Sequence, residues 1–347
     1  MPDHENLDFV DSDYAKFKPI PSKDISVMKN EACQLSFEKR IVFDKIVKFC
    51  KEEIIAIKIG RNQPTPPRII VHGGAGIGKT YLIKTLAVWI NKLNQREGLH
   101  PLQPYVLLLA PTGVAANSIG GTTLHSGLDF KIGKKYIPLS SESLQTMSKL
   151  LEKVKVLIID ELSMISADQL YDVNRRLQSI MASEDPFGGV AVILHGDILQ
   201  LSPIRGQPIF LEPHSEQNLA LYNSDENLWN NFEVVILECN FRQGKNEFTE
   251  VLNKVRVGNI DEQVKALLTS RQLKFHPKSV TENATHTYFA NRDVEAMNTN
   301  KSNALLTSLH CLNARIISSS NFKPMITPHW TVKNTNFWES LNLKKRI

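Results

Sequence analysis

The run Gly73-Gly74-Ala75-Gly76-Ile77-Gly78-Lys79-Thr80 constrains this chain more than any other stretch. It fits the spacing G-x-x-x-x-G-K-[ST], with the apolar run Ile69–His72 before it and helical periodicity after it. Glycines let backbone N–H groups close around phosphate oxygens with no Cβ in the way. The N-terminus of the following helix adds its dipole. Lys79 supplies charge to the β- and γ-phosphates, and Thr80 offers a hydroxyl to Mg²⁺. Gly73, Gly74, Ala75, Gly76, Ile77, Gly78, Lys79 and Thr80 are therefore the candidate nucleotide-binding set.

The rest of the chain supplies a setting for such a loop. Tyr105–Ala110, Val154–Asp160, Val190–His195 and Val234–Leu237 are short, nearly continuous apolar runs. Runs of this kind, bounded by helices, argue for parallel strands buried on both faces. Between them, Thr80–Asn94 and Ala167–Met181 carry apolar residues at helical spacing, the second with Ser166 as N-cap. Leu35–Lys51 reads as a further helix, followed by a Pro-rich hinge at Pro64, Pro66 and Pro67. Strand alternating with helix predicts an α/β, doubly wound P-loop domain over residues 31–240. A weaker α/β pattern follows over 241–347: Glu247–Val257 helical, and His286–Ala290 a strand feeding a helix near Val294.

Composition narrows the class further. With 347 residues, 42% hydrophobic and 22% charged, the chain has enough apolar material for about two domains. Its net charge of +5 permits a polyanionic partner without demanding one. Cys33, Cys50, Cys239 and Cys311 form no Cys-x-x-Cys pair, which suggests neither zinc nor a disulfide framework and fits a reducing compartment. No apolar run approaches the ~20 residues of a membrane span. Residues 1–30 carry six acids and four lysines, and the first arginine is Arg40. This is neither a mitochondrial presequence nor a secretory signal, and it reads as a solvated leader.

A phosphate loop needs an acid at the end of a neighbouring strand. Val154–Ile159 runs into Asp160-Glu161, where Asp160 would hold Mg²⁺, mostly through water, and Glu161 would polarise an attacking water.

Further motifs follow in order: Ala110-Pro111-Thr112-Gly113-Val114-Ala115-Ala116, Gly120-Gly121-Thr122-Thr123-Leu124-His125-Ser126, Asp160-Glu161-Leu162-Ser163-Met164-Ile165 and Phe187-Gly188-Gly189. Gly196-Asp197-Ile198-Leu199-Gln200-Leu201-Ser202-Pro203, Leu237-Glu238-Cys239-Asn240-Phe241-Arg242-Gln243 and Leu252–Gly258 complete the series. Together they resemble the superfamily-one DNA helicases of the PIF-one type, relatives of RecD and of the Helitron helicase part, over about residues 35–300. The resemblance implies a RecA-like first domain and a partial second RecA-like domain. It implies ATP and Mg²⁺ as cofactors and translocation on single-stranded DNA, 5′ to 3′, in repair, recombination or telomere maintenance in the nucleus. Gln200 matches the family's γ-phosphate sensor and Arg242 its arginine finger. Thr112, Gly113, Asn117, Thr123 and His125 stand where the family lays single-stranded DNA, without sequence preference. Lys131, Lys134 and Lys135 lie just beyond; Trp229 and Phe232 read as packing under the last strand.

Three departures stand out. Lys39 replaces the glutamine of the family's adenine-reading L-x-x-E-Q start, and a lysine cannot make an amide's paired contact. Ser202-Pro203 replaces a proline pair. Asn291–Asn298 resembles the opening of the second domain, yet neither a T-x-H-x-x-Q-G nor an A-L-S-R segment follows by Ile347. The alternative reading is thus a nucleotide- and DNA-binding fragment that does not unwind.

Overall fold

The computed structural model describes residues 17–94, 103–131, 135–204, 206–224, 227–238, 247–270, 286–303, 310–312 and 330–332. It divides into two compact units, residues 1–265 and 266–347. The first unit opens with helices α1 (Ile25–Cys33) and α2 (Phe37–Ile59), then β1 (Arg68–His72) and α3 (Lys79–Asn94). Next come β2 (Val106–Ala110), α4 (Gly113–Ile119), β3 (Thr122–Thr123), α5 (Leu124–Gly127), α6 (Ser141–Leu151) and β4 (Val156–Ile159). It continues through α7 (Ala167–Met181), β5 (Ala191–Gly196), α8 (Glu216–Tyr222), β6 (Glu233–Ile236) and α9 (Glu247–Arg256).

The six strands form one parallel sheet in the order β3-β2-β4-β5-β1-β6. Every residue of β2, β4 and β5 is buried. Continuous apolar runs still alternate sides. Leu107, Leu109, Leu157, Ile159, Val192 and Leu194 pack with Leu150, Leu170, Val173 and Leu177 of α6 and α7. Val106, Leu108, Val156, Ile158, Ala191 and Ile193 pack with Val42, Phe43, Ile46, Leu82 and Leu86 of α2 and α3. The strand period of two thus gives each helical layer its own set of residues.

Ser166 caps α7 reciprocally, accepting from Gln169 N–H at 3.2 Å while Gln169 Oε1 accepts from Ser166 N–H at 2.9 Å. The turn before β5 is held by burial. Phe187 has φ 57°, is 0% exposed, donates its N–H to Asn174 Oδ1 at 2.6 Å, and meets Phe232 edge-on at 5.9 Å. Trp229 packs beside Phe232, as expected for core aromatics.

The structure departs from the sequence reading at five places. The α2 helix runs past Lys51 to Ile59, because Glu53 pairs with Lys155 at 2.5 Å and Gly60 supplies the left-handed stop at φ 65°. The described part of the expected leader is mostly exposed but is pinned at two points: Phe17 and Met28 are buried, and Trp89 Nε1 donates to Met28 O at 3.3 Å. Charge counting over 1–30 could not register these widely spaced apolar residues. The first unit ends at 265 and not at 240, since Arg256 of α9 is ion-paired to Asp197 just past β5. The strand β6 is an exposed edge, with Val234 at 55% and Ile236 at 56% exposure. His286–Ala290 is irregular backbone and not a strand; no other described segment offers it a ladder.

In the second unit, helix α11 (Asn291–Asn303) covers the region expected near Val294, and β7 (His310–Leu312) pairs antiparallel with β8 (Trp330–Val332). Helix α10 (Glu262–Ser270) spans the division between units.

Phe187→Ala is expected to cost about 3–5 kcal/mol of stability, the range for truncating a buried aromatic. Urea denaturation reads it directly, and a loss below ~1 kcal/mol would remove this ring from the core.

Candidate active site

The phosphate loop starts where β1 ends, and its backbone is bolted to the neighbouring strands. Gly73 N–H donates to Gly196 O at 3.0 Å, and Leu237 N–H donates to His72 O at 2.8 Å. A Cβ on Gly73 would meet Ile77 Cδ1 at 2.0 Å and Leu237 O at 2.9 Å, so only glycine fits. Gly76 and Gly78 take φ 79° and 84°, which glycine adopts without cost. Lys79 is the first residue of α3. Its Nζ donates to Gly73 O at 2.7 Å and Gly74 O at 2.8 Å. Burial pulls the Lys79 ammonium below the ordinary lysine range, and Asp160, Glu161 and Asp197 limit the drop.

Asp160 follows β4, with its N–H donating to Leu109 O at 2.9 Å. Its carboxyl is 5% exposed, and Oδ1 has no hydrogen-bond partner. Burial pushes it up to about 6; the neighbouring Glu161 charge adds to this, while the Glu161 backbone bond and Lys79 oppose it. An orphaned hard-oxygen acceptor beside a phosphate loop suits a divalent cation. Glu161 sits at φ 57° and ψ 51°, a strained conformation for a residue with a Cβ. The next turn, Leu162–Met164, presses on β5: a Cβ on Gly196 would stand 2.7 Å from Leu162 N. Two motifs separated in sequence therefore touch at Gly196.

The γ-phosphate-sensor candidate Gln200 lies in the turn leaving β5. Its N–H donates to Asp197 O at 3.0 Å, and its Nε2 lies 3.4 Å from Asp197 Oδ2. Asp197 is 1% exposed and takes two bonds from Arg256 at 2.8 and 2.7 Å. Burial raises this carboxyl, but the Arg256 guanidinium and the Leu199 N–H more than offset it, leaving it below the usual range. His72 Nε2 lies 3.2 Å from Arg256 Nη2, while Ile198 N–H points to His72 Nδ1 at 3.4 Å. A neutral imidazole has one lone pair, so it accepts from one of them, and the Arg256 contact is the shorter. Burial holds His72 below its ordinary range, and Arg256 and Lys79 lower it further.

Sequence reasoning quoted Asp197 and Arg256 inside motifs without assigning them roles, and missed His72 and His195. His195, in β5, is 0% exposed with both ring nitrogens unpartnered. Burial, with Lys79 nearby, pushes it down to about 3, so it is neutral. The polar residues ending two otherwise apolar strands were the available signal. Arg242 lies outside the described residues.

The candidate DNA residues occupy the β3-β2 end of the same strand edge. Thr112 caps α4, accepting from Ala115 N–H at 3.3 Å, and Thr123 caps α5, accepting from Ser126 N–H at 3.2 Å. Each hydroxyl keeps its own proton for an acceptor. Gly113 and Asn117 are exposed on α4, and Asn117 Oδ1 accepts from Lys18 Nζ at 2.6 Å. His125 lies edge-on to Phe130 at 6.4 Å. Lys131 and Lys135 are exposed, and Lys134 lies outside the described residues. Lys39 is buried at 3% exposure.

A family model described as PIF1-like helicase matches residues 34–266. The chain belongs to this family. It is 27% identical over 302 residues to the ATP-dependent DNA helicase RRM3 of Saccharomyces cerevisiae, covering 85% of this chain and 38% of that protein. It is 33% identical over 204 residues to the ATP-dependent DNA helicase Pif1 of Bdellovibrio bacteriovorus, covering 58% of this chain and 42% of that one. Among solved structures, Bacteroides Pif1 bound to ssDNA superposes with a TM-score of 0.53 at 25% identity, covering 86% of this chain and 63% of that one. The Candida albicans Pif1 helicase shares the fold, with a TM-score of 0.60 at 23% identity and the same two coverages. The RecA-like fold is thus shared with both solved Pif1 structures, while the chain spans 38% of the yeast relative's length.

Because the folded state binds the Asp160 proton more tightly, stability falls as pH rises from 3.8 to about 6 and stays lower above it. Asp160→Asn is therefore expected to stabilise the metal-free protein by about 1–3 kcal/mol at pH 7.5, at ~1.4 kcal/mol per pKa unit. The gain should shrink toward pH 4. Thermal melts across this range check it, and a pH-independent difference would refute the assignment.

Proposed function

We propose that this chain binds and hydrolyses ATP with Mg²⁺ and couples hydrolysis to movement on single-stranded DNA. The observation that carries the reading is a buried Asp160 carboxyl whose Oδ1 has no partner, in one site with a Lys79 whose ammonium is held by the carbonyls of its own loop. Both groups are poised for partners the polypeptide does not supply. The loop N–H groups and Lys79 bind the phosphates, Lys79 exchanging the Gly73 and Gly74 carbonyls for phosphate oxygens. Among the described residues no cluster of three His, Cys, Asp or Glu can cage a metal. That suits Mg²⁺, which is commonly held by one or two carboxylates and substrate phosphates. The Thr80 hydroxyl and Asp160 would hold it, and when bound it neutralises charge building on the phosphoryl oxygens. Glu161 orients and polarises the attacking water; Gln200 senses the γ-phosphate; Arg242 supplies the finger.

Single-stranded DNA would lie over Thr112, Gly113, Asn117, Thr123 and His125, contacted through backbone and phosphate and so without sequence preference. Support comes from the Bacteroides structure, whose protein is bound to ssDNA. It also comes from Gly113, where a Cβ would meet nothing within 4 Å, so the fold itself does not demand glycine there. Translocation 5′ to 3′, a nuclear location and roles in repair, recombination or telomere maintenance accompany this reading. Residues 266–347 contribute part of a second RecA-like domain. No helix among the described residues is long and apolar enough to cross a membrane. The alternative is an ATP- and DNA-binding fragment that does not unwind.

The test is steady-state ATP turnover with and without single-stranded DNA. Lys79→Ala should abolish turnover and leave the melting temperature within a few degrees; retained ATPase would sink the phosphate-loop assignment. Stimulation by DNA favours the coupled motor, and nucleotide binding without stimulation favours the fragment.

Gly113→Ala should leave stability unchanged or raise it by about 0.5 kcal/mol. It should also weaken single-strand binding about tenfold, or ~1.4 kcal/mol. Unchanged affinity in a fluorescence-anisotropy titration would move the DNA track elsewhere.

A further inference from the structure

Asp197 is the hub of the turn that carries Gln200. Its Oδ1 accepts from Leu199 N–H at 3.1 Å, its carbonyl accepts from Gln200 N–H at 3.0 Å, and Gln200 Nε2 lies 3.4 Å from Oδ2. Arg256 already occupies both oxygens, donating from Nε to Oδ2 at 2.8 Å and from Nη2 to Oδ1 at 2.7 Å. A forked arginine–carboxylate pair of this length is strong and fixed in direction. The Gln200 amide is the weaker ligand on the same carboxylate. It is held near the site by a long contact it can leave.

The same guanidinium reaches the other side of the phosphate site. It lies 3.2 Å from His72 Nε2 at the end of β1, and its Nε stands 3.9 Å from where a Cβ on Gly74 would be. Arg256 is the last residue of α9, the helix that directly follows the segment bearing Arg242. One side chain therefore joins the end of β1 and the sensor turn to α9, and stands beside the phosphate loop at Gly74.

Charge gives this contact a second consequence. Asp197 is 1% exposed and stands beside a site that must accept several negative phosphate charges. A buried carboxylate without its partner would repel them and would also draw the Gln200 amide inward. Arg256 cancels that charge and saturates the oxygens.

We propose that Arg256 is a positioning residue for phosphoryl transfer. Through Asp197 it holds Gln200 available to the γ-phosphate and ties the sensor turn to α9, so that a shift of either is felt by the other. This rests on the ATP-hydrolysing reading above.

The test compares kcat with nucleotide affinity in four proteins: wild type, Arg256→Gln, Arg256→Lys, and the double variant Asp197→Asn with Arg256→Gln. Affinity is read by titration with a fluorescent ADP analogue and stability by thermal melts. Arg256→Gln is expected to lower kcat about 10–100-fold, the range for removing a partner that orients a catalytic ligand. Its ADP affinity should change much less. Arg256→Lys keeps the charge without the fork and should recover part of kcat. The double variant removes both charges and should recover stability and ADP affinity. Its kcat should stay low, because the amide put in place of the Asp197 carboxylate keeps its oxygen toward Leu199 N–H and presents an NH₂ donor where Oδ2 faced Gln200 Nε2.

A role in folding alone predicts that kcat returns with stability in the double variant, and that result would overturn the proposal. So would an Arg256→Gln protein whose kcat stays within about threefold of wild type. If wild type itself binds ADP but turns over no ATP, the hydrolytic reading fails and the positioning role falls with it. If wild type turns over ATP and the variants match it, the hydrolytic reading stands and the positioning role alone is lost.

Discussion

A parallel sheet ends all its strands on one edge, and the backbone ladder there fixes everything that follows. The bonds Gly73 N–H to Gly196 O, Leu237 N–H to His72 O and Asp160 N–H to Leu109 O carry the ladder one residue past the strands. They set the first residues of the phosphate loop, the acidic turn and the sensor turn in fixed register. Residues far apart in sequence meet because β4, β5 and β1 are neighbours in the sheet. Ligands of open α/β sheets gather at this carboxyl edge for the same reason.

The site holds groups that cost stability where they stand. Asp160 keeps a buried oxygen without a partner, and His195 keeps two ring nitrogens in that state. Glu161 and Phe187 occupy left-handed backbone although they carry side chains. The large apolar layers on both sheet faces outweigh these costs. Asp160 and Glu161 stand in the candidate site, whereas Phe187 belongs to the turn that delivers β5. No donor or acceptor meets the His195 ring, and burial with Lys79 nearby keeps the imidazole neutral.

Two candidate surfaces share the strand edge. The phosphate-binding residues take the β4-β5-β1 part, and Thr112, Gly113, Asn117, Thr123 and His125 take the β3-β2 part. The strand β4 lies between them and ends in Asp160, so the acid pair stands on the side of the nucleotide site nearest the candidate DNA track. This arrangement places the two candidate surfaces close together within one unit. The packed Phe17 and the Lys18–Asn117 bond bring residues N-terminal to the family match onto the same surface.

What the amino-acid order determined by itself was local. The phosphate loop was legible because glycines, a lysine and a hydroxyl residue at that spacing answer one chemical need. The α7 helix was legible to its ends because Ser166 and Gln169 form a cap within one turn. The Asp160-Glu161 pair was legible from an apolar strand ending in acids. Tertiary structure decided the rest. That Arg256 grips Asp197 across 59 positions depends on α9 reaching the sheet edge, which no local pattern encodes. The packing of Met28 and Phe17 depends on surfaces supplied by distant elements, so composition read them as solvated. The exposure of β6 depends on its being last in the sheet, although its Val234, Val235 and Ile236 are as apolar as the residues of a buried strand. Local chemistry is written in neighbouring residues, whereas burial and long-range pairing exist only once the sheet has assembled.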